Sequence, residues 1–304
     1  MLNKEKNSFS ILFASVVCAV AAGLLSFAST QLRPLQEANA KLDKQKNILI
    51  VLKVGRDGER YGTEHVKAFY ADTADQATVQ KLYEAYVRPG VVDLATGDVV
   101  EGADPEAIGP GQAPIWSLVK DGKVEAVAID AIGKGLWSTL YGFLALESDF
   151  NTVRGITFYS HGETAGLGAR IEEGWFQEGF VGKKIFGEDG KLVSVSVAKG
   201  ATAKGDHEVD GISGATLTCK GVTGLLANEL NAYGKWIEKN RSGEAAQAPA
   251  EEAPAAEEAA PEAEAPAAEA AADGANQAVE RPAAEEPAAE APAENAPAAE
   301  GVQE

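Results

Sequence analysis

Four oxygen-bearing side chains crowd the turn before the last helix predicted from the sequence. Asp210, Ser213, Thr216 and Thr218 lie within Asp-Gly-Ile-Ser-Gly-Ala-Thr-Leu-Thr, residues 210–218. A glycine- and hydroxyl-rich turn at a helix start presents backbone N–H groups, and the helix dipole adds a positive potential there. The segment therefore predicts an anion site, typically for a phosphate. The alternative is that Ser213, Thr216 or Thr218 only caps the helix.

A second candidate segment is the loop Ser-His-Gly-Glu-Thr-Ala-Gly-Leu-Gly, residues 160–168, between a predicted strand and a predicted helix. Its three glycines lack the side chains that would keep a flat ligand away from the backbone. We therefore interpret the loop as a candidate surface for such a ligand. The alternative is an ordinary connection, in which Thr164 caps the following helix and Glu163 is solvated.

A third segment, residues 132–142, places aromatic side chains among glycines. Trp137 lies beside Gly135 and Ser138, and it is a reasonable wall for an aromatic cofactor. Tyr141 is better explained as an ordinary core aromatic.

The elements that must position these segments mix strand and helix signals. Residues 115–119 and 124–129 flank an Asp-Gly turn, which is typical of a β-hairpin. Residues 153–159 and 192–197 are predicted as strands, the latter with alternating valines facing inward, and residues 171–180 as a helix. Apolar residues at steps of three and four predict one last helix from about residue 218 to residue 239. This mixed order favours an α+β fold over a doubly wound sheet.

The amino-terminal segment is apolar and long enough to cross a membrane. Residues 9–28 form an uncharged stretch of 20 residues, which at about 1.5 Å per residue just spans a hydrocarbon layer of about 30 Å. We predict a transmembrane helix at residues 9–30, followed by a charged helix at residues 36–46. The alternative is a signal peptide cleaved after residue 28.

Composition divides the rest of the chain into a near-neutral body and an acidic tail. The net charge is −19, and residues 243–304 carry −15 of it together with 27 alanines and 8 of the 13 prolines. Such a tail cannot bury enough apolar surface to form a core, so we predict that it is disordered. The remaining −4 gives no positive field for nucleic acid. Two cysteines and three histidines favour neither a disulfide framework nor a metal site.

Four segments in order carry a family resemblance. Residues 210–216 resemble the flavin-attachment motif Asp-x-x-Ser/Thr-Gly-Ala-Thr of the FMN-binding domain family, and residues 161–168 resemble its companion loop, with Ala165 in place of the usual proline. Residues 133–138 and 36–40 are similar to the C subunit of the sodium-translocating NADH:quinone oxidoreductases. The resemblance covers about residues 1–240 and leaves out the tail.

The resemblance implies a covalently bound FMN. In the family, the last threonine of the motif, here Thr216, is joined to the FMN phosphate by a flavin transferase that uses FAD and magnesium. No residue is implied to be catalytic and no metal ligand is implied. The implied flavin-site residues are Asp210, Ser213, Gly214 and Ala215 in the motif, with Glu163, Thr164, Leu167, Gly168, Trp137, Ser138 and Lys199 around the ring or phosphate.

The same resemblance implies a function within a complex. A membrane-anchored flavoprotein, not active alone, would relay electrons from a membrane iron–sulfur centre to the flavin of the B subunit, with the A, D, E and F subunits as further partners. Residues 1–8 would be cytoplasmic, and residues 31–242 would form the FMN-binding domain on the periplasmic face of the inner membrane. Two alternatives stay open: the G subunit of the related ferredoxin:NAD oxidoreductase complex, and a non-redox anchor protein of the cell envelope.

Truncation after Ser242 tests the interpretation of the tail. An isolated helix needs about 12–15 residues, and the prolines divide the tail into pieces of at most seven residues, apart from residues 267–281, which Gly274 interrupts. We therefore expect an extended, self-repelling spacer. The truncated protein should keep its flavin spectrum, its domain melting temperature and the quinone reductase turnover of the complex. A loss of flavin or turnover at normal protein levels would show that the tail is required.

Overall fold

The computed structural model describes residues 4–200 and 202–241. The acidic tail predicted at residues 243–304 lies outside the described residues. The helices are α1 (Lys4–Val51), α2 (Thr63–Ala68), α3 (Gln76–Tyr86), α4 (Gly174–Glu178), α5 (Thr216–Ala232) and α6 (Gly234–Arg241), with a π-helical turn at Phe69–Thr73 and a 3-10 turn at Gly168–Glu172. The strands are β1 (Val87–Asp93), β2 (Gln112–Lys120), β3 (Lys123–Lys134), β4 (Thr139–Glu147), β5 (Val153–Ser160), β6 (Ser196–Val197) and β7 (Glu208–Val209).

The centre of the domain is an antiparallel sheet. Strands β1 to β5 pair in sequence order, and β6 and β7 form a separate parallel pair. The predicted hairpin is confirmed, because β2 and β3 meet at Asp121 and Gly122, both with positive φ angles, 50° and 72°. The mixed sheet-and-helix fold predicted from the sequence is also confirmed.

Helices cover both faces of this sheet. Side chains alternate along each strand, so that on β4 Phe143 and Ala145 face one core while Leu144 and Leu146 face the other. The first core is completed by the end of α1 with α2 and α3, and the second by α4, α5 and α6. Because both faces are buried, the site segments must lie at the edges or ends of the sheet.

Helix α1 joins the apolar amino-terminal segment to the first core without a break. Among the described residues it is the one helix long and apolar enough to span a membrane, and its most apolar window is not buried in the protein. Residues 31–41 remain exposed, whereas Ile48, Leu49 and Leu52 near its end are at most 1% exposed. The guanidinium of Arg154 on β5 donates from Nε to the carbonyl oxygen of Leu52 at 2.7 Å, which fixes the helix end to the sheet.

The direction of α1 across the sheet is defined by its contacts. Lys41 pairs with Glu106, at 3.5 Å, in the loop between β1 and β2. The helix then reaches Gly155 near the start of β5, where the carbonyl oxygen of Val51 leaves no room for a side chain. In this meander the β1–β2 loop and the β3–β4 turn lie at the same end of the sheet. We call it the anchor end, because α1 enters the domain there from its apolar segment.

Three sequence predictions of elements need correction. The helix predicted at residues 171–180 is a 3-10 turn followed by the short α4, and the last helix is divided at Tyr233 into α5 and α6, where Gly234 disfavours continuation. Only Ser196–Val197 of the strand predicted at residues 192–197 is a strand. There the N–H groups of Val193 and Ser194 both donate to the carbonyl oxygen of Ile185, so regular pairing stops and Val193 is 53% exposed.

We expect the mature protein to retain residues 9–30. A cut near residue 28 would fall inside the continuous α1 helix, whose end is part of the domain core. Amino-terminal sequencing and intact-mass measurement of protein purified from membranes will locate the mature start. A start near Ser29 would instead demonstrate a cleaved signal peptide.

Candidate functional site

The turn before α5 leaves the first turn of that helix without a side-chain cap. Ala215 occupies the N-cap position and makes no side-chain hydrogen bond, so the interpretation of the hydroxyls as helix caps is wrong. Gly214 has a φ of 77°, a conformation that favours glycine. Thr216 is the first residue of α5 and is exposed. The start of α5 therefore combines first-turn N–H groups that its N-cap side chain does not bond with an accessible hydroxyl, a combination that suits an anion.

Asp210 and Lys199 belong to two segments that run side by side next to this turn. The Asp210 carboxylate accepts a hydrogen bond from the N–H of Ala203 at 2.6 Å, and thus holds a neighbouring loop. The N–H of Gly211 donates to the carbonyl oxygen of Gly200 at 2.8 Å, and a Cβ at Gly211 would lie 2.3 Å from the Ala198 carbonyl oxygen. Lys199 is exposed on this adjoining segment, and Ser213 is exposed in the turn itself.

Thr218 has an environment opposite to that of Thr216. It is 1% exposed, and its hydroxyl donates to Oε2 of Glu163 at 2.6 Å. The other carboxylate oxygen of Glu163 accepts hydrogen bonds from the N–H groups of Trp137, at 2.9 Å, and Ser138, at 3.4 Å. Glu163 is 8% exposed, so the alternative in which this carboxylate is solvated is wrong.

The charge state of Glu163 follows from this geometry. Burial opposes ionisation, but the hydrogen bonds from the Thr218 hydroxyl and from the backbone of residues 136–138 outweigh it. The pKa of this carboxyl is therefore lowered, and Glu163 is an anion at neutral pH. One buried anion thus joins the three segments predicted to form the site.

Glycines allow these segments to approach so closely. A Cβ at Gly168 would lie 2.6 Å from the Thr218 hydroxyl and 2.9 Å from Oε2 of Glu163. A Cβ at Gly135 would lie 2.6 Å from Oε1 of the same carboxylate. The absent side chains at these two positions therefore serve the internal packing of the site.

The rest of the 160–168 loop is held by its own backbone and by Ser138. The Ser138 hydroxyl accepts from the N–H of Gly162 at 2.6 Å. The carbonyl oxygen of Thr164 accepts from the N–H groups of Leu167 and Ala169, each at 3.1 Å, while no side chain caps the following 3-10 turn. The alternative that Thr164 is a helix cap is therefore wrong.

Exposed apolar side chains lie on each of the three segments that Glu163 joins. Leu167 contacts the turn directly, because its Cδ2 atom would lie 3.0 Å from a Cβ at Gly214. Trp137 is 71% exposed, and Leu217, beside Thr216, is 54% exposed. The arrangement offers an apolar surface beside a hydroxyl and a positive helix end. Tyr141, predicted in the core, is 39% exposed and lies near this end of β4.

The sequence patterns did not reveal three parts of the site. Leu136 and Leu217 are exposed beside predicted site residues, and the role of Thr218 as the partner of Glu163 was not foreseen. A signal for Thr218 existed, since Val222 and Leu225 follow it at helical steps of four and seven and are buried.

His161 also belongs to the site, although the motifs did not predict a role for its side chain. Its Nδ1 accepts from the N–H of Glu163 at 3.2 Å, so the ring restrains the backbone of the residue that carries the buried carboxylate.

These residues fit a phosphate-bearing flat cofactor better than a metal ion. Within residues 4–200 and 202–241, no group of three or more His, Cys, Asp or Glu side chains is placed to hold a metal. The first turn of α5 suits a phosphate, and Trp137, Leu167 and Leu217 suit an apolar ring system.

A model of the FMN-binding domain family matches residues 135–231. The match begins in the β3–β4 turn and ends within α5, so it covers all three segments of the site except the first residues of the 132–142 segment. The fold and the site thus define a flavin-binding protein.

Longer similarities define the family within this class. The C subunit of the Na(+)-translocating NADH-quinone reductase from Pseudomonas aeruginosa is 34% identical over 277 residues, 81% of this chain and 100% of that protein. Its namesake from Haemophilus ducreyi is 36% identical over 267 residues, 79% of this chain and 93% of that protein. The chain belongs to the family of C subunits of the sodium-translocating NADH-quinone reductases, and it is therefore a flavoprotein component of an oxidoreductase complex.

Solved structures agree with this assignment. The C subunit from Parabacteroides distasonis superposes with a TM-score of 0.56 at 32% identity, covering 68% of this chain and 96% of that one. NqrC from Shewanella oneidensis gives a TM-score of 0.52 at 26% identity, covering 67% and 99%. The family resemblance drawn from the motifs is thus confirmed, in preference to the ferredoxin:NAD oxidoreductase and non-redox alternatives.

Gly168→Ala tests whether the close packing around Glu163 holds the site together. The added methyl group must displace the Thr218 hydroxyl or the Glu163 carboxylate, so we expect a loss of about 1–3 kcal/mol in the free energy of unfolding. Gly224→Ala in α5 is the control, since a Cβ there meets no atom within 4 Å. Denaturant titrations of both variants measure the effect, and equal stability of the two would contradict the packing described.

Proposed function

We propose that this protein carries FMN covalently on the hydroxyl of Thr216 and relays electrons within the complex. The observation that carries the proposal is the contrast between the two threonines of the first turn of α5. Thr216 is exposed, whereas Thr218 is 1% exposed and its hydroxyl is engaged by Glu163. Only the first of these hydroxyls is accessible to a modifying enzyme.

The electrostatics of the turn support a phosphoester at this position. A phosphate on Thr216 would lie at the positive end of the α5 dipole, beside N–H groups that no side chain caps. Lys199, exposed on the adjoining segment, supplies a cation that would favour the same charge. Asp210 and Ser213 would hold the turn in the conformation that presents the threonine.

Trp137, Leu167 and Leu217 would exclude water from one side of the ring system of the bound FMN, because they are apolar and exposed around Thr216. When bound, FMN supplies the electron-carrying chemistry, and the protein contributes its position and electrostatic surroundings. Glu163, Thr164 and Gly168 would hold the loop that carries Leu167, and they would thereby support this apolar surface.

The direction of α1 supports an exchange of electrons with membrane subunits. The β3–β4 turn, which carries Trp137, lies at the anchor end of the sheet, where α1 enters from its apolar segment. The site therefore lies at the same end of the domain as the membrane span. We propose transfer from an iron–sulfur centre in the membrane to the flavin of the B subunit, with the domain on the periplasmic side and attachment by a flavin transferase.

Paired threonine variants test the attachment site. The full chain is co-expressed with a flavin transferase, and bound flavin is read by in-gel fluorescence and by intact mass, which rises by FMN less one water. Thr216→Ala should abolish the signal, while Thr216→Ser, which keeps a hydroxyl, should retain part of it.

Thr218→Ala is the matched control within the same turn. It should still acquire FMN, although its melting temperature should fall because Glu163 loses a donor. Flavin that persists in Thr216→Ala, or vanishes only in a folded Thr218→Ala, would move the attachment site and refute the proposal.

A further inference from the structure

Glu163 links the β3–β4 turn to the first turn of α5. Its Oε1 atom accepts from the backbone of Trp137 and Ser138 in the β3–β4 turn, and its Oε2 atom accepts from Thr218 in α5. All of these donors belong to the protein, and the side chain is 8% exposed. The carboxylate is therefore committed to internal contacts.

We infer that Glu163 is a positioning residue that sets the place of Trp137 relative to the hydroxyl of Thr216, and so controls flavin attachment without touching the flavin. The inference rests on the proposed attachment at Thr216. Trp137 is 71% exposed, so its own side chain has little packing to fix it, and its backbone N–H bond to Glu163 supplies that restraint. Thr218, two residues after Thr216 in the same helical turn, supplies the other fixed point.

The contacts predict which substitutions preserve this function. A glutamine can accept from the Trp137 N–H through its carbonyl oxygen, and its amide can donate to a Thr218 hydroxyl that turns to accept. Glu163→Gln therefore keeps the link and removes the charge. Glu163→Ala leaves the Trp137 N–H and the Thr218 hydroxyl without this acceptor, and the turn then keeps only the bonds that Ser138 makes with Gly135 and Gly162.

The first measurement is made on flavin-free protein. Amide hydrogen exchange at Trp137 and Ser138 is compared in the full-length wild type, Glu163→Ala, Glu163→Gln and Glu173→Ala. Glu173 is the control, because it is an exposed carboxylate whose side-chain partners, Arg170 and Trp175, lie in its own segment. We expect exchange about tenfold faster in Glu163→Ala and within about threefold of wild type in the other two.

The second measurement is the rate of FMN attachment, read by intact mass during incubation with flavin transferase and FAD. Attachment should be about tenfold slower in Glu163→Ala and nearly normal in Glu163→Gln and Glu173→Ala. Thr218→Val removes the other end of the same link. Like Thr218→Ala, it should still acquire FMN by the end of a long incubation, but the rate of attachment should be lower than in the wild type although the Glu163 charge is kept.

The outcomes separate this inference from the proposed function. Wild-type protein that never acquires FMN would refute the attachment at Thr216. Normal attachment in a folded Glu163→Ala, or slow attachment without faster exchange at Trp137, would refute the positioning role while leaving the attachment site intact. Loss of attachment in Glu163→Gln with unchanged exchange would assign the effect to charge, and would also refute it.

Discussion

The end of α1 is built into the core, and the orientation of the molecule depends on this one feature. Ile48, Leu49 and Leu52 are almost completely buried against the sheet, and Arg154 closes the helix by donating to the Leu52 carbonyl. A helix that merely tethered the domain would need no such contacts. Here the helix that leaves the apolar segment also completes one face of the fold, so the domain is held in a defined direction relative to its anchor.

The proposed flavin site lies at the anchor end of the sheet. It is assembled from three separate segments of the chain. Burying a carboxylate among them is unfavourable unless its charge is fully hydrogen-bonded. Two backbone N–H groups and one hydroxyl meet that condition for Glu163. Gly135 and Gly168 leave the space that the carboxylate needs. The same contacts that satisfy the charge hide Thr218 and leave Thr216 outside.

Local patterns in the sequence predicted the parts of the molecule that depend on local forces. The hairpin at Asp121-Gly122 and the start of α5 near Thr216 follow from turn chemistry and helical periodicity. The burial of Glu163 could not be derived in this way, because its partner Thr218 is 55 residues away. The prediction that Val193 lies in a strand and faces inward failed for a similar reason. The N–H groups of Val193 and Ser194 both donate to the Ile185 carbonyl, which ends the regular pairing that the alternating pattern predicts. Where contacts beyond the local segment decide the environment, the residue type indicates chemistry but not exposure.

The domain has two halves, which divide at residue 135 and differ in what they contribute: the second forms the flavin site, and the first fixes the direction of α1. The match to the FMN-binding domain family starts at residue 135, and so leaves out α1 to α3 and the strands β1 to β3. The similarity to the Pseudomonas aeruginosa protein extends over 81% of the chain, and it therefore includes much of that first half. The second half contains the threonine turn and the loop of Glu163, which are sufficient to describe a flavin site. The first half contains the buried end of α1, which determines where that site points. In this chain the contacts that fix the direction of α1 relative to the flavin-binding half are the packing of α1 on the sheet and the bond from Arg154 to the Leu52 carbonyl.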